Sequence, residues 1–422
     1  MTIHSAGQAR QFPVFPGIAP AMLSLLLAGG LAQPVQAAPG ASAAVKADSA
    51  PDVVTYGRRD DVVSFAQQAA ERQGFSADWA IEQLAQSRYQ PSVARLVMPP
   101  PAGTAKNWEA YRNRFVEPQR IREGLRWWLA HERWLDEAES RWGVPADIVV
   151  AIVGVETFYG RITGNFKVLD ALATLSFDFP SGRSDRSGFY RQELEAFLAW
   201  CAAEQRDPQS IKGSYAGAMG LPQFMPSTLR KYAIDFDGDG RIDLDGNGAD
   251  VIGSVAHYFA QFGWERGLPT HFAVTPPEEL KERALLLAPD IVPSFTAQQF
   301  AERGARLDAA GRAHEGQLAL VMLQNGDGEP SYVAGTRNFY VVTRYNWSSY
   351  YAMAVIELAR SLRQMRPPSV AAGLAASPGP GAPSVQISPP AGKPVGPQAD
   401  ALPAAAAAEA AAAPGEAATS GR

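Results

Sequence analysis

Apolar residues recur at helical spacing through the first half of the central region. Six of them between 121 and 142 follow one another at steps of three, four or seven, and together form one apolar stripe: Ile121, Leu125, Trp128, Leu135, Ala138 and Trp142. Gly143 to Pro145 interrupts this predicted helix, and Pro145 suits the first turn of the next helix. Four further helices are predicted, near 189–204, after Pro226, over 251–262 and over 347–364.

The pattern changes between about residues 271 and 343. Short apolar runs at 285–287, 318–323 and 339–343 alternate with Gly, Pro and Asp. Runs of this length bounded by turn residues are typical of β-strands. We therefore predict an α+β fold that is mainly α, with a helical N-terminal part and a small β-rich insertion at about 271–343.

The first 38 residues have the pattern of an export signal. Arg10 supplies positive charge, residues 22–28 form an apolar segment, and the small-residue sequence 35–37 resembles a cleavage site. The apolar segment is shorter than the ~20 residues of a membrane span, although a non-cleaved anchor remains the alternative. No cysteine is close enough to carry a lipid anchor. The sequence thus predicts a cleaved signal peptide and a periplasmic protein.

Two segments flanking the central region are poor in large apolar residues. Residues 39–52 and the Pro- and Ala-rich tail at 367–422 cannot bury enough surface to offset the entropy lost on ordering. We predict that both segments are disordered. The ordered region is then about 53–366.

Composition narrows the functional classes. The chain of 422 residues carries a net charge of −5, without the basic excess that nucleic-acid binding usually needs. It has a single cysteine, Cys201, so an intramolecular disulfide is excluded, and its five histidines form no HExxH zinc motif. Cys201 follows Trp200 in a helical context, which favours a buried small side chain over a reactive thiol.

Glu156 follows a run of eight uncharged, mostly apolar residues, 148–155. A helix this apolar on all sides must lie in the core, and Glu156 lies at its C-terminal end. Burial and the negative end of the helix dipole should both raise the pKa of the Glu156 carboxyl. A carboxylic acid that stays protonated near neutral pH is what a general acid requires. A structural glutamate paired with Arg161 is the alternative.

A second segment, 214–227, combines small residues with one isolated polar side chain. Its glycines and alanines allow close approach of the backbone to a ligand, and Gln223 lies between Pro222 and Phe224. Gln223 could donate hydrogen bonds to a substrate. A tight turn with a solvent-facing glutamine is the alternative.

Together these segments carry a resemblance to a known family. The sequences V-E-T-F-Y-G at 155–160 and S-Y-A-G-A-M-G-L-P-Q-F-M-P-S at 214–227 resemble the lytic murein transglycosylase B family. Matching segments occur in the same order at 111–115, 170–175, 253–256 and 344–346, and the similarity extends over about 55–362. The resemblance implies a lysozyme-like core and cleavage of bacterial peptidoglycan.

The resemblance also implies roles for particular residues. The family's catalytic acid/base glutamate falls on Glu156, and its glycan-cleft residues fall on five other positions: Tyr111, Ser214, Gln223, Tyr258 and Tyr345. The three tyrosines would offer flat apolar faces to sugar rings and a hydroxyl group for hydrogen bonding. Core aromatic residues are the alternative for each tyrosine taken alone.

The implied reaction uses one carboxyl group, needs no catalytic cofactor and forms a 1,6-anhydro end on N-acetylmuramic acid (MurNAc). A second carboxylate remains open, since Asp170, Asp178 and Glu193 lie nearby in the chain. A hydrolytic muramidase and a non-catalytic peptidoglycan-binding scaffold are the alternative functions. Peptidoglycan glycan strands are the expected partner, and proteins of cell-wall synthesis or secretion remain open.

An aspartate-rich loop follows the second segment. Residues 235–243 match the first nine positions of an EF-hand loop, in which Asp235, Asp237 and Asp239 would supply side-chain oxygens and Arg241 its carbonyl group. Position twelve is a glycine, and the resemblance implies Asp250 as the last ligand. Three rival ligands overlap this pattern: Asp243, Asp245 and Asn247. We predict a structural Ca²⁺, with a solvated acidic turn as the alternative.

Overall fold

Helices dominate residues 55–99 and 105–366, which are the part of the chain that the computed structural model describes. The predicted signal peptide, linker and tail lie outside the described residues. None of the described helices is long and apolar enough to cross a membrane. In chain order the helices are α1 (Asp60–Gln73), α2 (Ala77–Gln86), α3 (Pro91–Leu96), α4 (Trp108–Arg112), α5 (Pro118–Ala130), α6 (Glu132–Trp142), α7 (Ala146–Thr157), α8 (Val168–Phe177), α9 (Ser187–Ala203), α10 (Pro226–Tyr232), α11 (Gly248–Gln261), α12 (Leu280–Leu287), α13 (Ala297–Glu302), α14 (Ala309–Arg312), α15 (Arg337–Tyr345) and α16 (Ser349–Met365).

Two antiparallel sheets accompany these helices. Their strands are β1 (Phe166–Lys167), β2 (Lys212–Gly213), β3 (His271–Thr275), β4 (Arg306–Leu307), β5 (Ala319–Asn325) and β6 (Gly328–Gly335). Strands β1 and β2 pair with each other, and the other four form a sheet in the order β4-β3-β6-β5. The hairpin β5–β6 pairs Leu320 with Ala334 and carries an irregularity between Leu323 and Asn325. The mainly α prediction with a small β-rich insertion is therefore confirmed.

Two of the three strand predictions inside the insertion are wrong. Residues 318–323 do coincide with strand β5, but 285–287 end helix α12 and 339–343 lie within helix α15. Helix α15 starts at Thr336, whose side chain accepts a hydrogen bond from the backbone N–H of Asn338. Its short apolar run is buried on several sides, and periodicity alone does not separate such a helix from a buried strand. The last strand of the sheet therefore ends at Gly335, before the predicted limit of 343.

The predicted stripe at 121–142 runs over two helices instead of one. Helices α5 and α6 meet at His131, which has φ −122° and ψ 16° and so interrupts the helical backbone. Helix α6 ends as predicted, because Gly143 adopts the left-handed conformation at φ 73°. The other predicted helices, near 189–204, after Pro226, over 251–262 and over 347–364, correspond to α9, α10, α11 and α16.

Helix α7 lies at the centre of the core. Every residue of this helix except Glu156 is buried, as its continuous apolar sequence requires. Asp147, in the first turn, accepts a hydrogen bond of 2.7 Å from Nε of Arg363 on helix α16. Burial raises the pKa of the Asp147 carboxyl, and the Arg363 guanidinium partly offsets that rise. Helices α7 and α16 are thus fixed together at the end away from Glu156.

The insertion is bonded to the helical core through one end of its hairpin. The backbone N–H of Gln324 in β5 donates to the hydroxyl group of Tyr350 in helix α16 over 2.7 Å. The N–H of Gly326, at the turn of the hairpin, donates to the carbonyl oxygen of Lys106 over 3.0 Å. Helix α16 consequently contacts both the sheet and helix α7.

Candidate active site

Glu156 lies near the C-terminal end of helix α7, and its two carboxyl oxygens are in different environments. Oε1 accepts a hydrogen bond of 2.5 Å from the hydroxyl group of Tyr351 on helix α16. Oε2 is buried and has no hydrogen-bond partner among the described residues. A buried oxygen without a partner is costly, so Oε2 is the atom that a bound ligand would satisfy.

The same environment sets the protonation state of Glu156. Burial raises the pKa of its carboxyl to about 8, and the Tyr351 hydroxyl opposes this rise only in part because it stabilises the ionised form. The carboxyl therefore carries its proton at neutral pH. Arg161, the alternative partner considered from the sequence, forms an ion pair with Glu123 at 2.7 Å.

The turn after Glu156 holds two non-glycine residues in the left-handed region. Phe158 has φ 52° and Tyr159 has φ 58°, conformations that are uncommon for aromatic residues. Arg120 donates from Nη1 to the carbonyl oxygen of Gly154 over 2.5 Å, and its guanidinium lies 4.7 Å from the ring centre of Phe158. These contacts fix the end of helix α7 and so the direction of the Glu156 side chain.

Two of the tyrosines that the resemblance implied lie below the surface. Tyr345 stacks on Tyr351 with ring centres 6.4 Å apart and an interplanar angle of 10°, and its hydroxyl donates to the carbonyl of Pro222 over 2.6 Å. Tyr258 packs against Tyr345 at 5.1 Å and donates to the carbonyl of Arg344 over 2.5 Å. Tyr258 exposes 2% and Tyr345 0% of its surface, so neither presents the open ring face that was expected. Tyr345 thus packs against Tyr351, and Tyr258 packs against Tyr345.

Ser214 and Gln223 are also buried and organise the segment between them. Ser214 Oγ accepts from the N–H groups of Ala216 and Ala218 at 3.3 and 3.0 Å. The Gln223 amide donates to the carbonyl oxygens of Thr163 and Gly220 at 3.1 and 2.9 Å. Gln223 also has φ 51°, and this left-handed backbone together with its buried amide differs from the solvent-facing alternative.

Tyr111 is the predicted cleft tyrosine whose ring is partly exposed. It lies in the short helix α4, which begins at Asn107 with a side-chain hydrogen bond to the N–H of Ala110. Its ring contacts Phe115 at 5.2 Å and Tyr350 at 5.9 Å. Tyr111 therefore has both a fixed orientation and surface available to a sugar ring.

The three other carboxylates near Glu156 in the sequence have structural partners. Asp170 accepts hydrogen bonds from the N–H of Arg88 and the amide of Gln90, at 2.9 and 3.0 Å. Glu193 accepts from the N–H and hydroxyl of Ser227, at 2.9 and 2.7 Å. The third, Asp178, forms an ion pair with Arg59 at 3.0 Å. Each of these carboxylates thus has hydrogen-bond or ion-pair partners within the fold.

Sequence reasoning missed Tyr351, which donates the hydrogen bond to Glu156. Nothing in its local pattern separates it from Tyr350, its neighbour in the chain, although helical spacing places the two on different faces. Asn346 was not singled out either. It is 1% exposed, and its Nδ2 atom is buried without a hydrogen-bond partner among the described residues. Its place beside Tyr345 in an R-Y-N sequence was the available signal.

The acidic loop brings together three of its four predicted aspartate ligands. One carboxylate oxygen from each of Asp235, Asp237 and Asp250 lies within 4.8 Å of the others. Asp239 is outside this group, and its Oδ1 accepts from the N–H of Arg241 over 2.9 Å. Three converging carboxylates suit a hard cation such as Ca²⁺, whose ligands are oxygens.

The rival ligands have local hydrogen bonds. Asp243 Oδ1 accepts from the N–H groups of Asp245 and Gly246, both at 2.9 Å. Asn247 donates from Nδ2 to Asp237 over 2.8 Å, and its Oδ1 accepts from the first turn of helix α11. Burial raises the pKa of Asp250, a cost that a bound cation would offset.

Comparison with known proteins places this geometry in a family. The model of the transglycosylase SLT domain matches residues 57–360. The chain is 37% identical over 323 residues to membrane-bound lytic murein transglycosylase B of Escherichia coli K12, covering 74% of this chain and 85% of the relative.

Solved structures give the same result. The E. coli lytic transglycosylase Slt35 in complex with calcium matches with a TM-score of 0.63 and 36% identity, over 73% of this chain and 94% of that chain. SltB3 of Pseudomonas aeruginosa in complex with NAG-anhNAM-pentapeptide matches with a TM-score of 0.59 and 31% identity, over 71% and 78% of the two chains. Because the family model covers more than half of the chain and both fold and sequence agree with these enzymes, the chain belongs to the transglycosylase SLT domain family of lytic transglycosylases.

Proposed function

We propose that this protein is a peptidoglycan lytic transglycosylase in which Glu156 acts first as general acid and then as general base. The observation that carries the proposal is the Glu156 carboxyl, whose burial raises its pKa and whose Oε2 atom is buried without a hydrogen-bond partner among the described residues. The substrate class follows from the relatives, which are named as lytic murein transglycosylases.

The first step needs a proton donor. Glu156 donates its proton to the glycosidic oxygen between MurNAc and N-acetylglucosamine (GlcNAc), and the bond from that oxygen to the anomeric carbon of MurNAc breaks. The N-acetyl oxygen of the same MurNAc stabilises the developing positive charge, as in substrate-assisted glycosidases. This role for the substrate agrees with the structural partners of Asp170, Asp178 and Glu193.

The second step regenerates the acid. The Glu156 carboxylate takes the proton of the MurNAc 6-hydroxyl group, and that oxygen bonds to the anomeric carbon to close a 1,6-anhydro ring. An intramolecular nucleophile has a high effective concentration, so it competes well with water when the ring is held correctly. Tyr351 supports this step because its hydrogen bond stabilises the ionised carboxyl. No water is consumed, and the reaction is that of a lyase.

Five other residues would shape the glycan cleft in this proposal. Tyr111 offers a partly exposed ring to a sugar, whereas Ser214 and Gln223 hold the backbone of the cleft segment. Tyr345 acts by packing against Tyr351, and Tyr258 acts by packing against Tyr345. Substrate contact is thus assigned to the surface ring and backbone positioning to the buried groups.

Mass spectrometry of the products released from purified peptidoglycan tests the reaction. We expect muropeptides that are lighter by one water than the corresponding reducing sugars, and none of them with the Glu156→Gln variant. Reducing-end products would support the hydrolytic muramidase instead. Retention on insoluble peptidoglycan with no product would support a scaffold, and either result would overturn the lytic mechanism.

We also propose a periplasmic location and a structural Ca²⁺ in the acidic loop. The location rests on the signal-like sequence 1–38 and on relatives that are lytic murein transglycosylases of bacteria. Cell fractionation with detection of the processed N-terminus tests it, and accumulation of the full-length chain in the cytoplasm would contradict it. The Ca²⁺ would bind Asp235, Asp237 and Asp250, and a related enzyme has been solved with calcium.

A further inference from the structure

A surface cavity lies on elements other than those that hold Glu156. It is formed by the turn between helices α1 and α2 and by the C-terminal end of helix α9, and its volume is about 860 Å³. Ligand pockets in proteins usually enclose roughly 300–1,000 Å³. Small side chains at Ala199, Ala202 and Ala203 form part of its lining and leave room for a ligand. Glu156 and Tyr351, by contrast, belong to helices α7 and α16.

Two aromatic side chains form a fixed wall of this cavity. Phe75 and Trp79 are both half-buried, with ring centres 5.8 Å apart and planes at 72°. Ser76 caps helix α2 by accepting a hydrogen bond from the N–H of Trp79 over 3.3 Å, which fixes the backbone between the two rings. A preorganised aromatic surface costs little entropy when it binds the C–H face of a sugar ring.

Amide groups surround this aromatic wall. The cavity is also lined by Gln73, Gln83 and Gln205. The Gln73 side chain already donates to Glu195 over 2.8 Å and accepts from Arg230 over 3.0 Å, so Gln83 and Gln205 are the amides that a ligand would contact. Gln83 is held by Gln209, whose side-chain amide donates to the backbone carbonyl oxygen of Gln83 over 3.0 Å. Gln205 is exposed and has φ 51°, a left-handed conformation that favours glycine. A glutamine at this strained position supplies the cavity with an amide that glycine would lack.

The charges at the cavity are balanced. Arg206 and Asp207 are consecutive and opposite in sign. The Arg206 guanidinium lies 4.9 Å from the ring centre of Trp200, and Asp207 Oδ1 accepts from the N–H of Gln209 over 3.0 Å. A site without a charge excess selects neither a polyanion nor a polycation. Aromatic faces combined with amides suit a neutral ligand that has both hydroxyl groups and an apolar face.

We propose that this cavity is a second glycan-binding site, which holds the uncharged N-acetylglucosamine units of a glycan strand outside the catalytic cleft. The proposal rests on the proposed function, because the glycan strand of the substrate is the ligand. Binding here keeps the enzyme on the insoluble polymer while Glu156 cleaves a strand in the cleft. The effective concentration of the polymer at the cleft rises accordingly.

Titration of the Glu156→Gln protein with chitotetraose, four β-1,4-linked GlcNAc units, tests the site without turnover. Calorimetry and backbone NMR shifts should report two binding sites, one of them shifting Gly74 and Gln205. Trp79→Ala should abolish that second site. Gln205→Gly keeps the left-handed backbone without strain, and it should weaken the second site about 2- to 10-fold through loss of its amide.

Asp290→Gly is the matched control for Gln205→Gly. Asp290 is another exposed non-glycine residue with positive φ, 54°, and it lies outside the lining of this cavity. The Asp290→Gly variant should leave the affinities of both glycan sites unchanged. A single glycan site in the Glu156→Gln protein would overturn the proposal. So would an unchanged affinity of the second site in both Trp79→Ala and Gln205→Gly. If the tryptophan variant folds poorly, the Gln205→Gly variant still gives the test.

Activity assays separate this proposal from the proposed function. With Glu156 intact, Trp79→Ala and Gln205→Gly should cleave a short soluble glycan at the unmodified rate and release products from insoluble peptidoglycan several-fold more slowly. Equal losses on both substrates would overturn a role outside the cleft. Absence of anhydro products from the unmodified protein would instead contradict the proposed function, whatever the number of glycan sites.

Discussion

Glu156 makes the stability of the folded state fall as pH rises, which is opposite to the effect of most carboxylates. Its pKa is raised from an ordinary value of 4.5 to about 8, so the unfolded chain releases this proton more readily than the folded chain. The contribution of Glu156 to stability is therefore complete below pH 4.5 and is lost as pH rises through about 8. The raised pKa of the Glu156 carboxyl is thus maintained at the expense of stability.

Replacing Glu156 with glutamine should stabilise the protein increasingly with pH. Glutamine cannot ionise, so the variant does not lose stability when the pH rises. The gain in free energy of unfolding over the unmodified protein should therefore be roughly 3–5 kcal/mol larger at pH 9 than at pH 4. Denaturant unfolding at the two pH values measures this difference. A gain that is the same at both values would show that the carboxyl has an ordinary pKa.

Tyr351→Phe should raise the pKa of Glu156 further. The hydroxyl group that donates to Oε1 over 2.5 Å stabilises the ionised form, and phenylalanine removes it while preserving the ring stacked on Tyr345. We expect the alkaline limb of the pH–rate profile to move to higher pH and the maximal rate to fall about tenfold or more.

Tyr345→Phe is the comparison for this variant. Its hydroxyl donates to the carbonyl of Pro222 and not to Glu156, so the alkaline limb should stay in place even if the rate falls. A shift of the limb in Tyr345→Phe, or no shift in Tyr351→Phe, would contradict the assignment of Tyr351 as the partner of the acid.

At the scale of secondary-structure elements, the packing of helix α7 against Tyr159 requires a glycine. A Cβ atom added at Gly154 would lie 2.4 Å from the Tyr159 hydroxyl and 2.7 Å from its ring carbon Cζ. Gly154→Ala should therefore lower the free energy of unfolding by about 1–3 kcal/mol, as overpacking does in cores. Denaturant unfolding is the measurement.

Gly188→Ala provides the matched control. Gly188 lies in the first turn of helix α9, and a Cβ atom there would meet nothing within 4 Å. Alanine favours the helix over glycine by up to about 1 kcal/mol, so this variant should be neutral or stabilising. Equal destabilisation by both variants would contradict the contact between Gly154 and Tyr159.

The sequence predicted the elements where the local signal agreed with the tertiary environment. The apolar run before Glu156 was recognisable as a buried helix, and its family motif pointed to the acid. The runs at 285–287 and 339–343 misled because three to five apolar residues have no diagnostic period. The bond from Tyr351 to Glu156 joins residues 195 positions apart, and no local pattern reports such a distance.

For the whole molecule, the acidic loop predicts a stability that depends on Ca²⁺. Ca²⁺ that binds only the folded state at a hundred times its Kd stabilises that state by about 2.7 kcal/mol. The melting temperature should therefore rise with Ca²⁺ and fall on addition of a chelator. No change in the unmodified protein would contradict the site.

Two exposed aspartates of the loop distinguish the ligand sets. Asp237 belongs to the group of three converging carboxylates, whereas Asp239 lies outside it. Asp237→Ala should abolish most of the Ca²⁺-dependent rise in melting temperature, and Asp239→Ala should retain most of it. Equal losses in both variants would favour the EF-hand pattern predicted from the sequence, in which both aspartates are ligands, over the observed grouping.

The consecutive tyrosines of helix α16 link two distant parts of the molecule. Tyr350 bonds to the β5–β6 hairpin, and Tyr351 bonds to the Glu156 carboxyl. Because one helix carries both hydroxyl groups, the hairpin and the carboxyl share a single support. A change that shifts helix α16 at the hairpin would therefore also move the hydroxyl group that lowers the pKa of Glu156.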